Sequence, residues 1–419
     1  MSSAAFQKPF SFSAIEDYDK GEDLAGVAND FRFMHELGID TWRGSFGWDQ
    51  LEPERGVYDF EWLHAFAETA ASHGIRLRPY VGYTPAWAAA GRMSDEAEWN
   101  DPPADLSDWT GFVRALATAM RRHDNVVSYE IYNEQNARAW WDGTPTEYYH
   151  VLLSGAAAIR AADPGTQVLM GALVWPDDAW VRAVCSEPGG AAAFDIVPFH
   201  AYPETFTDDT VSVEGYLDAQ YHDDFLPVVD SICGGKPVWL NELGFATVRR
   251  DSERAQANWW ARAIATYAAD RRVEHLGIYQ LRDRVPPSPE MAGDPNHHFG
   301  LVYADGTRKL AFSTVQLLVA LLNTDTITVA DAEVEARLRA RRERALHHRL
   351  FVRPDGRQVL IVWDNAGWPV LDIRLARTGS TAMSYALDGS ARPHLAYQNG
   401  VLHNVRLERG EVQIFVIDP

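Results

Sequence analysis

Cysteine is nearly absent from this sequence: Cys185 and Cys233 are a single pair in 419 residues. Two cysteines exclude a disulfide-dense scaffold, and their spacing fits no thiolate metal site. The expectation is two buried free thiols, with one bridge between them as the alternative. Lysine is almost as scarce, confined to Lys8, Lys20, Lys236 and Lys309. None falls at the end of an expected strand, which argues against barrel lyases and isomerases that work through a Schiff-base lysine. Positive charge is in deficit, with 38 Lys and Arg against 59 Asp and Glu and a net charge of −21. Such a surface repels phosphate backbones and anionic bilayers, so no nucleic acid and no membrane is expected as partner. No apolar run is long enough to span a bilayer either. The opening "MSSAAFQKPFSFSAIEDYDKG" lacks the basic-then-apolar layout of a secretion signal. The expectation is a cytoplasmic protein, or an exported one whose signal has been removed. Oligomeric state is left open.

Tryptophan, by contrast, is abundant, with fifteen copies. Trp87, Trp99, Trp140, Trp141, Trp175 and Trp180 stand in Pro-, Asp- and Gly-rich loop contexts, where aromatic rings can serve as ligand platforms. Between about residues 10 and 320, short apolar strands alternate with amphipathic helices. The strands read "FSFSAI", "GIDTWRGSF", "GIRLRPYVGY", "VVSYEIYNE", "QVLMGALV", "FDIVPFHAY", "PVWLNELGF" and "HLGIYQLRD". Helices such as "LAGVANDFRFMHEL" and "RAQANWWARAIATYAADRR" lie between them. Strand–helix alternation implies parallel pairing with right-handed crossovers. Eight strands point to a (β/α)8 TIM barrel over residues 1–324 rather than an open sheet. Beyond "FSTVQLLVALL" the pattern changes to period two, with "EVEARLRA" (333–340) as the first strand and turn signals at Pro-Asp-Gly and Asn-Gly. Residues 325–419 are expected to form a small C-terminal antiparallel β-sandwich. No low-complexity linker divides the two parts, so they are expected to pack tightly.

Two of the strands end on glutamate. Glu134 closes strand four in "IYNEQN", and Glu242 lies near the end of strand seven in "PVWLNELGF". Strands so far apart in sequence face each other across a barrel mouth, and paired carboxylates there suit glycoside hydrolysis. Either glutamate alone reads as an ordinary acidic residue; the pair at strand ends favours chemistry. Arg43, expected at the end of strand two, would hold Glu242 ionised. Tyr132, Trp140 and Trp141 would keep Glu134 dry and protonated. Asn133 could bond a sugar hydroxyl, and His200 and Tyr202 share one face of strand six. Trp239, three residues before Glu242, is expected to pack in the core.

Together these segments resemble a clan A retaining glycoside hydrolase over nearly the whole chain, nearest in character to family 39, with features of families 5 and 42. The resemblance rests on "RGSFGWDQLEPERGVYDFEWL", "YTPAWA", "YNEQN", "FHAYP", "LNELGF" and "HHFGLVYADGTRKLAF" in that order. It implies Glu134 as acid/base, Glu242 as nucleophile, Asn133 as ligand of the 2-hydroxyl, Arg43 and Tyr202 as partners of the nucleophile, and His200 as a subsite residue. Trp87, Trp141, Trp175 and Gln280 join the substrate-binding candidates. One departure stands out. Where the clan commonly ends strand eight on a tryptophan, "IYQLRD" offers Gln280, Arg282 and Asp283, implying a more polar floor to the sugar site. The expected activity is hydrolysis of β-linked oligo- or polysaccharide by double displacement, with no metal or organic cofactor. The carboxyl groups should then lie about 5–5.5 Å apart. A transglycosidase with the same site is one rival. The other is a carbohydrate-binding protein without catalysis, which the retention of Glu134, Glu242 and Arg43 disfavours.

Overall fold

A computed structural model describes residues 4–91, 98–207, 211–218, 220–248, 252–338 and 346–419. The eight expected strands are present: β1 (Phe6–Ile15), β2 (Thr41–Gly47), β3 (Arg76–Gly82), β4 (Ser128–Asn133), β5 (Gln167–Ala172), β6 (Val197–Ala201), β7 (Val238–Leu243) and β8 (Val273–Tyr279). All pair in parallel, and β8 returns to β1 through Ser11–Ile15. Between β5 and β6 the ring closes on two isolated bridges, Leu169 to Ile196 and Leu173 to Phe199. The barrel is therefore complete.

Local sequence explains the helices that cover it. In α1 (Leu24–Leu37), the Asp23 side chain caps the start, and Gly38, at φ 76°, ends the helix in the left-handed region that favours glycine. Its buried face, Val27, Phe31, Met34 and Leu37, follows the helical three-to-four spacing. In α2 (Pro145–Ala162), Thr144 and Glu147 form a capping box ahead of Pro145. Among the described residues, no helix is long and apolar enough to cross a membrane.

Cys185, at the end of α3 (Asp178–Cys185), and Cys233, just past α4 (Leu226–Ser231), form a disulfide with Cα atoms 5.5 Å apart. The expectation of two free thiols is thus overturned. Forty-eight residues separate the pair in sequence, but successive outer helices of a barrel stand side by side and bring their ends together. That proximity is tertiary and leaves no mark on the cysteine count.

The C-terminal strands form two sheets. One runs through β9 (Thr324–Val329), Leu346–Val352, Gln358–Asp364, Gln413–Ile417 and Ala382–Tyr385, and ends at Ala391–Pro393. It is continuous with the barrel, because Phe6–Phe10 of β1 pairs antiparallel with β9. A second sheet contains Val334–Leu338, Val370–Leu375, Val401–Arg406 and Tyr397–Gln398. The expected strand at 333–340 is present up to Leu338, and its last two residues lie outside the described ones.

The first sheet is apolar on both faces. Leu350, Leu360, Val362, Phe415 and Ile417 meet Leu371, Ile373, Leu402 and Val405 of the second sheet. Alternate residues Phe351, Val359, Ile361, Trp363 and Ile414 join the barrel's core. That double burial accounts for the unbroken apolar run "VLIVW". Polar contacts add to the joint: the Trp363 indole donates to Glu214 at 2.8 Å, and the Val412 amide to Asn258 at 2.9 Å.

Candidate active site

The mouth of the barrel is organised around Arg43. It sits third in β2 rather than at its end, and its length carries the guanidinium up to the mouth. Nε and Nη2 donate to the two oxygens of Glu130 at 3.0 and 2.8 Å, Nη1 donates to Glu242 at 3.0 Å, and Nη2 also reaches Asn133 Oδ1 at 2.7 Å. The guanidinium lies 4.8 Å from the centre of the Tyr80 ring. Four strands meet at this one side chain.

Glu130 was not foreseen. It accepts from Arg43, from the Asn241 side chain at 2.8 Å and from the Ala172 amide at 3.0 Å. In the sequence it is simply the middle of "VSYEIYN", where a glutamate in a buried strand signals an internal partner. Only its alternation with Tyr129 and Ile131 could have hinted that it faces the barrel axis.

Glu134 and Glu242 are both nearly buried, 8% and 9% exposed. His200 bridges them: Nδ1 is 2.6 Å from Glu134, and Nε2 is 3.6 Å from Glu242. One side-chain atom from each of the three lies within 4.8 Å of the others. The backbone helps to place the acid, since Tyr132 and Glu134 both adopt positive φ, 65° and 52°, on either side of Asn133. Residues with side chains hold such angles only where the surroundings compel them, and they collect at functional sites.

Protonation follows from the geometry. Burial, partly offset by Arg43, raises the Glu134 carboxyl to about 7. Burial also raises Glu242, while His200, Arg43 and the Tyr202 hydroxyl favour its charged form. Two carboxyls this close disfavour being ionised together. The Arg43 hydrogen bond and the one donated by Tyr202 place the negative charge on Glu242, and the proton stays on Glu134. Burial depresses His200 to about 4, so its imidazole is neutral. A carboxylate–histidine trio of this kind can hold a cation in other proteins, but here the Arg43 guanidinium already occupies the Glu242 oxygen and would repel one.

Not every residue singled out in the sequence reaches this pocket. His200 is wholly buried behind the two carboxyls, so it cannot line a sugar subsite. Trp141, only 2% exposed, packs against Tyr132 and Tyr148 in the core, because the turn after β4 folds it inward. Trp87 is half-buried against Trp48, with its indole donating to the Glu52 carbonyl at 2.9 Å. Gln280 is fully buried and donates to the Arg282 carbonyl at 2.7 Å. Arg282 turns outward to Asp30, and Asp283 pairs with Lys309 at 2.8 Å. The polar floor implied by "IYQLRD" is therefore absent, and the aromatic Tyr279 stands beside Tyr202 instead, ring centres 5.8 Å apart. Trp239 packs against His275 and Arg78 inside the barrel, in keeping with a core role.

Trp175 and Trp140 remain open, 42% and 37% exposed. Trp140 stacks on Tyr83 at 6.1 Å and meets Trp99 at 5.7 Å, giving an aromatic wall on the Glu134 side. Of the long loop 87–106 that carries Trp99, residues 92–97 lie outside the described ones.

A family model described as beta-galactosidase, that of glycosyl hydrolase family 42, matches residues 20–93. That stretch holds Arg43 and neither glutamate. The beta-galactosidase Bga of Halorubrum lacusprofundi is 34% identical over 110 residues, 26% of this chain and 14% of that protein. BgaB of a Geobacillus species is 38% identical over 61 residues, 14% of this chain and 9% of its own length. The match thus spans about a tenth of the curated relatives. Solved structures align far more completely. A family 39 glycoside hydrolase from Bacteroides cellulosilyticus WH2 superposes with a TM-score of 0.75 at 19% identity, over 98% of this chain and 81% of the other. A family 39 beta-xylosidase from Caulobacter crescentus gives 0.69 at 18% identity, over 100% and 98%. The fold is that of the barrel-and-sandwich glycoside hydrolases. A family 30 endoxylanase from Clostridium papyrosolvens C71 shares it too, with a TM-score of 0.69 at 13% identity over the full length of both chains.

Proposed function

We propose that this protein is a retaining β-glycoside hydrolase acting on carbohydrate by double displacement. The observation that carries the reading is the approach of Glu134 and Glu242 to within 4.8 Å, with Arg43 bonded to Glu242 alone of the two. An inverting enzyme needs room for water between its carboxyls, about 6.5–9.5 Å, whereas a nucleophile must sit closer. Short matches to beta-galactosidases and the shared fold of family 39 and family 30 enzymes support the same class.

In this mechanism a Glu242 oxygen forms a bond to the anomeric carbon as the bond to the leaving oxygen breaks. Glu134 gives its proton to that oxygen. Water then attacks the glycosyl-enzyme ester, Glu134 takes the proton back, and Glu242 is freed with the original anomeric configuration restored. Tyr202 donates to Glu242, and burial keeps its hydroxyl protonated. Asn133, whose carbonyl oxygen accepts from Arg43, retains amide N–H groups as donors for the sugar's 2-hydroxyl.

The test is hydrolysis of a panel of aryl β-glycosides and β-linked polysaccharides by wild type, Glu242→Gln and Glu134→Gln, with proton NMR of the first anomer released. Retained configuration and a loss of at least about a thousandfold in Glu242→Gln would support the reading. An inverted product would sink the covalent step. Transfer products formed with added sugar acceptors would shift the assignment to a transglycosidase.

A further inference from the structure

Asp17 stands just past the end of β1. Its Oδ1 accepts from the Tyr80 hydroxyl at 2.8 Å and from the Ser45 amide at 3.0 Å. Its other oxygen faces Nη2 of Arg284 across 3.7 Å, and both side chains are partly open, 32% and 45% exposed. The Tyr80 ring that orients Asp17 lies against the Arg43 guanidinium, which holds Glu242. Tyr279 lies within electrostatic reach of Arg284, Glu242 and Asp17 together. The pair therefore borders the mouth on the side of Tyr279 and Glu242. In a retaining hydrolase the sugar attacked by the nucleophile occupies that side.

We propose that Asp17 and Arg284 form the couple that recognises the glycone, and that the glycone is a neutral sugar rather than a uronic acid. The inference rests on the hydrolase reading for the meaning of "glycone". Geometry supports the couple: an oxygen about 2.8 Å from each of two atoms fits comfortably over a 3.7 Å base. A sugar hydroxyl placed there donates to Asp17 and accepts from Arg284, using both halves of its hydrogen-bonding capacity. Charge sets the class. Arg284 is countered by Asp17, and its neighbour Arg282 is committed to Asp30. A sugar carboxylate at this rim would meet the Asp17 carboxylate rather than an unopposed guanidinium. Asp17 is already fixed by two donors on its inner oxygen, so it does not swing away to make room.

The experiment compares aryl β-D-glucoside and β-D-galactoside with the matching glucuronide and galacturonide, using wild type, Asp17→Asn and Arg284→Met. Calorimetric titration of lactose, cellobiose and xylobiose into Glu242→Gln, alone and combined with Asp17→Asn, runs beside it. Wild type is expected to prefer a neutral glycoside over its uronide by at least about a hundredfold. Each variant should lose at least tenfold in kcat/KM on the neutral substrate, mainly through KM, with an unchanged pH profile. Arg284→Met, at an exposed site, controls for misfolding in Asp17→Asn. Wild-type kcat/KM retained within twofold by both variants would overturn the couple and leave the hydrolase reading standing. Preference for a uronide would overturn the neutral glycone. Disaccharide binding abolished by Asp17→Asn, with no hydrolysis by any protein, would support the couple and sink the hydrolase.

Discussion

Glu130 and Arg43 share two parallel hydrogen bonds, at 3.0 and 2.8 Å, between side chains that are each 3% exposed. The pair fixes the plane of the guanidinium. Its remaining nitrogen then points at Glu242, 3.0 Å away. A carboxylate on β4, three strands round the barrel from Glu242, thus favours the charged form of Glu242 through an arginine.

Replacing Glu130 should therefore affect both stability and rate. Glu130→Ala leaves Arg43 buried without its main counterion and the Ala172 amide without an acceptor, a loss of about 3–5 kcal/mol for a broken buried pair. Urea unfolding measures it. Glu130→Gln keeps the shape but frees Arg43 to turn, and kcat should fall at least tenfold while KM changes little. Full activity in Glu130→Gln would show that Arg43 is positioned by something else.

Burial raises the Glu134 carboxyl to about 7, and in the proposed mechanism that sets the alkaline side of the pH profile. As a proton donor it is active when protonated, so kcat/KM should decline as pH rises through about 7. Glu134→Gln should abolish that limb, with the greatest residual activity on aryl glycosides whose leaving groups need no proton. A limb that persists unchanged in Glu134→Gln would assign it to another group.

Stability carries a parallel signature at Glu16. Burial, reinforced by Asp30, raises its carboxyl from 4.5 to about 8. Because the folded pKa exceeds the unfolded one, the contribution is fully present below pH 4.5 and is lost as pH rises to about 8. Glu16→Gln cannot ionise, so its melting temperature should exceed that of wild type at pH 8 and above. The advantage should vanish near pH 5. Thermal melts at the two pH values decide it.

The Cys185–Cys233 bridge closes a 48-residue separation between the far ends of two outer helices. Constraining a loop of that size is worth about 3–4 kcal/mol in the chain-entropy picture. Reduction, or Cys185→Ser with Cys233→Ser, should lower the melting temperature. Activity at 25 °C should be unaffected, because helices antiparallel to the barrel strands end away from the mouth. Calorimetry with and without a reductant, alongside an activity assay, tests both halves.

Trp140 and Trp141 are neighbours with opposite fates. Trp141→Ala should cost about 3–5 kcal/mol, as expected for a large buried aromatic. Trp140→Ala should leave stability nearly unchanged and raise KM for substrates extended beyond the leaving group. Thermal melts and kinetics on mono- and oligosaccharide substrates separate the two.

The sequence by itself determined the barrel, because the alternation of apolar strands with 3.6-period helices depends on neighbours along the chain. It determined the second sheet for the same reason, through the change to period two. Glu134 and Glu242 were legible because carboxylates at the ends of apolar strands fall at a barrel mouth. Their partners were not. Which carboxylate clamps Arg43, how deep His200 lies, which of Trp140 and Trp141 faces the cleft, and whether two cysteines meet are all matters of distance between segments far apart in sequence. Charge pairing, burial and disulfide formation act through space. Only the closed ring of strands, which brings β2, β4, β6 and β7 to one mouth and sets the outer helices side by side, decided them.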